Sequence, residues 1–352
     1  MNAAIRAALI GVGGYGRVLL RASRQVPGFA IVKAYYYHPE RVREIEKQLG
    51  IPVTASFEEI LEDPSIQALV IATPNDQHLP QAKAGLEHGK AVFVDKPITN
   101  YVSEAVELIR CEQKTGQLLM VGHNYRRMPA VRACERAIRE GRIGELVSVE
   151  GNFSRGGAYE VTASSWRRQD RCPTGPMIQL GIHLIDAILN WCGTPLRVAG
   201  AMEKLYREGQ NVDNTACLIE FSSGRLATVQ SNYLGPFWGL LRAYGTRGIV
   251  ETDSLSTVLY TESGGKEILY QGFSSFDLER DISLKEQFEE FARLIQDGGH
   301  PETDSVSSML ALAVVNAMEI SAEEKRFVSI SELIPTDLLP ESTERVTVTA
   351  PK

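Results

Sequence analysis

The sequence has no excess of positive charge. Its 37 Lys and Arg face 44 Asp and Glu, for a formal net charge of −7, so there is no basic field to gather phosphate backbones and no nucleic-acid partner is expected. Cysteine is scarce as well. Cys111, Cys134, Cys172, Cys192 and Cys217 show no Cys-x-x-Cys spacing, which indicates neither a disulfide framework nor a zinc site and fits reduced cytosolic thiols. We find no apolar run of ~20 residues and no signal-peptide pattern at the start, so the expectation is a cytoplasmic protein with no membrane partner. Repeats and low-complexity tracts are missing too. Composition, 43% hydrophobic and 23% charged, excludes collagen, coiled coil and disorder. What remains is a globular chain whose 352 residues suit about two domains.

Up to residue 122, short apolar runs alternate with amphipathic stretches. Residues 7–10, 30–34, 68–72, 91–94 and 118–121 are continuous apolar strands of the kind buried on both faces of a parallel sheet. Val102, Ala105, Val106 and Ile109 carry a helical spacing between two of them. This alternation predicts a doubly wound Rossmann domain over 1–122, with its ligand crevice at the strand carboxyl ends. The rhythm then changes. After a helix over 129–139, strand-like runs at 145–153, 197–205, 215–221 and 226–233 follow one another, and two amphipathic helices cover about 283–296 and 305–322. We read 123–334 as an α+β domain with a large, mainly antiparallel open sheet, and 335–352 as a loosely held tail.

Gly11-Val12-Gly13-Gly14-Tyr15-Gly16 stands between the first strand and the first helix. Such spacing lets one glycine make a tight turn, a second admit a pyrophosphate to the backbone, and a third close the helix onto the strand. The helix N-terminus then offers N–H groups to the phosphates. A dinucleotide cofactor is the expectation. The carboxylate that would hold an adenosine ribose is missing, because the second strand ends in Tyr35-Tyr36-Tyr37-His38. Tyr36 can cover an adenine and Arg41 can meet a 2′-phosphate; the tyrosines can equally be strand-end residues, so NAD and NADP both stand.

Two further segments follow strands at the expected crevice, Thr73-Pro74-Asn75-Asp76-Gln77-His78 and Asp95-Lys96-Pro97. A lysine there can hydrogen-bond a substrate hydroxyl, or be an exposed loop charge. In the second domain Gln179, His183, Asp186 and Asn190 are spaced 4, 3, 4 in an otherwise apolar run. On an α-helix they share one face, which is either a ligand site or a satisfied structural network. His183 and Asp186 lack a third metal ligand, so no metal is expected. Trp166, among Arg155, Arg167, Arg168 and Arg171, suits either a sugar or the packing of a surface loop.

Together these segments, over about residues 4 to 333, resemble the glucose-fructose oxidoreductase, inositol dehydrogenase and rhizopine catabolism (Gfo/Idh/MocA) family. The resemblance rests on Gly11 to Gly16, on Thr73-Pro74-Asn75-x-x-His78, and on Asp95-Lys96-Pro97 in place of the family's Glu-Lys-Pro. Asn124-Tyr125-Arg126-Arg127, Gly141 to Gly144 and Gly181-x-His183-x-x-Asp186 extend it.

The resemblance implies NAD or NADP held by Gly11, Gly13, Gly14, Tyr15, Gly16, Tyr36, Thr73, Pro74, Asn75, His78, Asp95 and Lys96. It implies that Lys96 and His183 share the proton chemistry of hydroxyl oxidation. A carbohydrate-like substrate, a sugar, cyclitol, sugar acid or derivative, would then meet Gln179, Asp186, Asn124, Arg126 and Trp166. A homodimer or homotetramer through the open sheet face is also implied. Gln179 stands where many members have an acid, and cannot carry charge to an imidazolium. A regulator that binds nucleotide without catalysis, and an oxidoreductase that retains its cofactor, are the alternatives.

Overall fold

The computed structural model describes residues 4–273 and 275–347. The chain forms two units. One runs up to His123 and includes Ser283–Met309; the other comprises Asn124–Ile282 and the residues from Leu310 onward.

In the first unit the five apolar runs form a parallel sheet, as the sequence predicts, and a short sixth strand joins it at one edge. Its elements are β1 (Ile5–Ile10), α1 (Gly14–Ser23), β2 (Phe29–Tyr35), α2 (Val42–Leu49), β3 (Val53–Thr54) and α3 (Phe57–Glu62). They continue with β4 (Ala68–Ile71), α4 (His78–Glu87), β5 (Ala91–Asp95), α5 (Val102–Thr115) and β6 (Leu119–Gly122). The order β3-β2-β1-β4-β5-β6 reverses direction between β1 and β4, which places a ligand crevice beyond their carboxyl ends. β4 and β6 are buried at every position, which is why no polar residue interrupts them. A cut at residue 122 alone misses Ser283–Met309. Phe288 and Phe291 pack their rings on Phe29 (5.5 and 6.0 Å) and Phe93 (5.2 and 5.7 Å), and this burial draws the distant segment onto the parallel sheet.

The second unit holds α6 (Pro129–Arg139), β7 (Leu146–Ser154), α7 (Ile182–Cys192), β8 (Pro195–Glu203), β9 (Asn214–Phe221) and β10 (Leu226–Asn232). After these come β11 (Trp238–Gly245), β12 (Gly248–Thr252), β13 (Ser256–Thr261) and β14 (Lys266–Gln271). Helices α8 (Phe276–Asp297) and α9 (Ser305–Glu324) pass between the units in sequence, and β15 (Val328–Ser329) closes the sheet. The nine strands run β14-β13-β12-β11-β7-β10-β9-β8-β15, with β7 and β10 the parallel pair. Along β10 exposed and buried positions alternate, the mark of a sheet covered on one face. That cover includes α7. Gly151 of β7 makes room for it, since a Cβ there would stand 2.9 Å from Leu184 Cδ1.

Two expectations change. Helix α9 is long and apolar enough to cross a membrane, yet most of it is buried inside the fold; it is a core helix. The tail, as far as residue 347, is stitched down. Thr343 Oγ1 accepts from Thr194 N, and Val346 N donates to Ser223 O.

Candidate active site

In the first unit, Gly11 takes φ +97°, and a Cβ there would lie 2.6 Å from Ala72 O; at Gly16 it would lie 2.0 Å from Gly11 O. Both glycines are requirements of the fold. Gly13 and Gly14 are different, for they are exposed and a Cβ on either would meet nothing within 4 Å. Gly13 has an ordinary φ of −67°, and the first turn of α1 holds no acid. Open space over the amino end of a helix fits a pyrophosphate approached by backbone N–H groups. Half-buried Tyr15 packs on the core beneath it.

Beyond β2, the Arg41 guanidinium lies 5.7 Å over the Tyr36 ring and donates to its hydroxyl. Glu44 takes two further bonds from Arg41.

After β4, Thr73 Oγ1 donates to Gln81 Oε1, Pro74 precedes a short 3-10 turn, and Asn75 within it is buried. His78 is also buried, with its ring nitrogens 2.8 Å from Pro97 O and 3.0 Å from Thr73 O. Both oxygens accept, so a neutral ring donates to one at a time. Burial holds the His78 pKa below its usual value, against the pull of those carbonyls. His78 therefore ties the segment after β4 to the segment after β5. There stand Asp95 and Lys96, the latter 9% exposed. Burial pushes the Asp95 carboxyl up to about 7, although the neighbouring Lys96 charge opposes the rise. Gly122 on adjacent β6 completes the packing, since a Cβ there would lie 2.9 Å from Asp95 Oδ1.

In the second unit, the helix bearing the polar stripe is not α-helical throughout. It opens with a π-turn over Met177–Gly181, which takes an extra residue in the turn and sets Gln179 off the register of α7. The Gln179 amide donates to Cys172 Sγ at 3.3 Å. His183, half-buried, lies with its ring centroid 5.9 Å from both Tyr125 and Phe153. Asp186 is taken up by Arg126, which donates from Nε to Oδ2 at 2.7 Å and from Nη2 to Oδ1 at 2.6 Å. Asn190 donates to Glu135 Oε1. The far end of the stripe is thus a structural network, one of the two readings open from sequence.

Asn124, 4% exposed, starts the turn that carries Tyr125 and Arg126 by accepting from Arg127 N. Trp166 sits in the loop after β7 under the Arg167 guanidinium, 4.7 Å away. The rings of Tyr125 and Phe153 beside His183 escaped the sequence reading, since they lie on separate segments that no periodicity links. Among the described residues there is no cluster of three or more His, Cys, Asp or Glu able to hold a metal.

A Rossmann unit with open space over the amino end of α1, joined in one chain to a second unit that carries a half-buried imidazole on an apolar helix, has the architecture expected of a dinucleotide-dependent oxidoreductase. Residues 5–123 match the model for the oxidoreductase family with an NAD-binding Rossmann fold, and residues 131–251 match that for the GFO/IDH/MocA C-terminal domain. Between them these matches cover more than half of the chain, which belongs to the GFO/IDH/MocA family and is an NAD(P)-dependent oxidoreductase. The uncharacterized oxidoreductase YdgJ of Escherichia coli is 32% identical over 176 residues, half of either chain. scyllo-Inositol 2-dehydrogenase (NAD(+)) of Bacillus subtilis is 26% identical over 329 residues, 89% of this chain and 93% of that one. Among solved structures, an oxidoreductase of Desulfitobacterium hafniense superimposes with TM-score 0.87 at 27% identity, over 95% of this chain and all of the other.

Proposed function

We propose that this protein transfers a hydride between a secondary hydroxyl of a sugar, cyclitol or related polyol and a nicotinamide cofactor. The observation that carries this reading is the His183 imidazole, partly exposed beside the wholly buried Tyr125 and Phe153. A titratable ring set among apolar side chains is a candidate acid–base group. The nicotinamide supplies the hydride chemistry when bound. Lys96 and His183 hold and move the proton at the hydroxyl oxygen, which is general acid–base work. Arg126 and Asp186 act on each other and position the turn bearing Tyr125 against α7. Gln179, Asn124 and Trp166 remain as substrate-orienting groups. The cyclitol activity in the name of the Bacillus relative supports the substrate class.

The protein works in the cytoplasm, in keeping with its five buried cysteines, none of them in a disulfide. It pairs with copies of itself through the open face of the nine-stranded sheet, where Trp238 and Leu226 are 58% and 46% exposed. Sedimentation tests this, with Trp238→Lys shifting the protein toward monomer. The activity is tested by screening cyclic polyols, sugars and sugar acids with NAD+ and NADP+. Nicotinamide reduction with at least one ring polyol is expected; reduction with none contradicts the proposal.

A further inference from the structure

His183 stands beside a run of aromatic rings. Phe153, 5.9 Å from the imidazole, is itself 5.8 Å from Phe237 and 6.1 Å from Phe276, and those two rings are 5.1 Å apart. Exposure rises along the run. Tyr125 and Phe153 are buried, Phe276 is half-buried, and Phe237 is 46% exposed. A wall of rings thus leads from the imidazole to an aromatic surface open to water.

A single exposed Phe is ordinary. Phe237 is distinguished by how firmly its loop is held. Asn232 Oδ1 accepts from Leu234 N at 3.0 Å and Gly235 N at 2.7 Å, while its Nδ2 donates to Ser154 Oγ at 2.9 Å. Arg155 N donates to Asn232 O, and Gly157 N and Ala158 N both donate to Tyr233 O. The segment just before Phe237 is therefore stitched to the segment just after Phe153. The ring is preorganised, with Phe153 and Phe276 against it and 46% of the residue exposed.

Resting on the dehydrogenase reading above, we propose that Phe237, backed by Phe276, is the platform for the C–H face of a cyclic polyol whose hydroxyl meets His183. A pyranose or cyclitol directs its hydroxyls around the rim and gathers C–H groups on its faces. Such a face is apolar and slightly positive, and it packs on the negative face of an aromatic ring. The rim hydroxyls stay free for hydrogen bonds. An open-chain polyol has no persistent face and gains little from the ring. The platform carries no charge, so it selects ring shape rather than an anion.

Saturation-transfer NMR tests this on the protein loaded with NAD+ or NADP+, using myo-inositol and methyl β-D-glucopyranoside as ring probes and glycerol and D-sorbitol as open-chain ones. With the aromatic protons irradiated, transfer to ring C–H groups is expected in the wild type and in Phe237→Trp, with roughly a five-fold loss in Phe237→Ala, as only the first two keep an aromatic face. Steady-state rates should show KM for the ring substrate rising about ten-fold in Phe237→Ala with kcat within about three-fold, the pattern of lost uniform binding. Phe237→Trp should restore it. Equal transfer in wild type and Phe237→Ala overturns the platform, and so does a wild type that receives no transfer to either ring probe. Transfer that depends on Phe237, without nicotinamide reduction by any polyol, leaves the platform standing and contradicts the dehydrogenase reading; the converse result separates them the other way.

Discussion

Arg126 and Asp186 hold each other through two parallel charge-assisted hydrogen bonds, with 6% and 1% of their side chains exposed. The pair sits one turn beyond His183, so it fixes the turn of Tyr125 against α7. Removing one partner strands a buried charge. We expect Asp186→Ala to lower stability by about 3–5 kcal/mol, the usual cost of breaking such a pair, and Arg126→Met with Asp186→Leu to recover much of it. Urea denaturation of the three proteins checks this. Equal stability for Asp186→Ala and wild type would mean that the pair contributes nothing.

The glycine loop separates fold from function. Gly13→Val should leave the far-UV circular dichroism and melting temperature almost unchanged, because a Cβ at this exposed position meets no protein atom within 4 Å. It should nevertheless abolish measurable cofactor binding by calorimetry, since it fills the space over the helix N-terminus. Gly16→Ala should do the reverse in kind and destabilise the fold itself, its Cβ lying 2.0 Å from Gly11 O. Undiminished cofactor affinity in Gly13→Val would remove the cradle.

Asp95 gives a pH dependence whose sign is fixed. Its carboxyl is pushed up to about 7 by burial, well above the ordinary range, so the folded protein binds this proton more tightly than the unfolded chain. Stability should fall as pH rises from about 4 to about 7. Glu112 and Glu319, each also pushed up to about 7 chiefly by burial, add slopes of the same sign. Asp95→Asn should therefore gain stability relative to wild type most clearly above about pH 7 and least near pH 4. Urea midpoints across that range test it, and parallel curves for the two proteins would contradict it.

The parallel sheet was legible because burial on both faces leaves its strands as unbroken apolar runs; residues 68–72 mark β4 almost to the residue. β3, two residues long, offers no run to read. Strands β11 to β14 carry a weaker alternation, half facing water and broken by Gly, Thr and Tyr, so they emerged only from the structure. The π-turn at Met177–Gly181 left no trace, since the 4, 3, 4 spacing of the polar residues suits an ordinary helix equally well. Placement at strand ends marked Lys96 and His78, but the role of His78 as a tie depends on Pro97 O, nineteen residues away. The aromatic run through Tyr125, Phe153, Phe237 and Phe276 joins four segments that only folding brings together.

We propose that Lys96 and His183 move the proton of the substrate hydroxyl. The most direct measurement is kcat for Lys96→Met and His183→Ala on the best ring polyol from the screen, at saturating cofactor, beside cofactor affinity for each variant. Each kcat should fall by about 100-fold or more, the usual scale for loss of acid–base help, while the His183 variant binds cofactor as the wild type does. Turnover near wild type in both variants, with substrate and cofactor bound, would contradict the account.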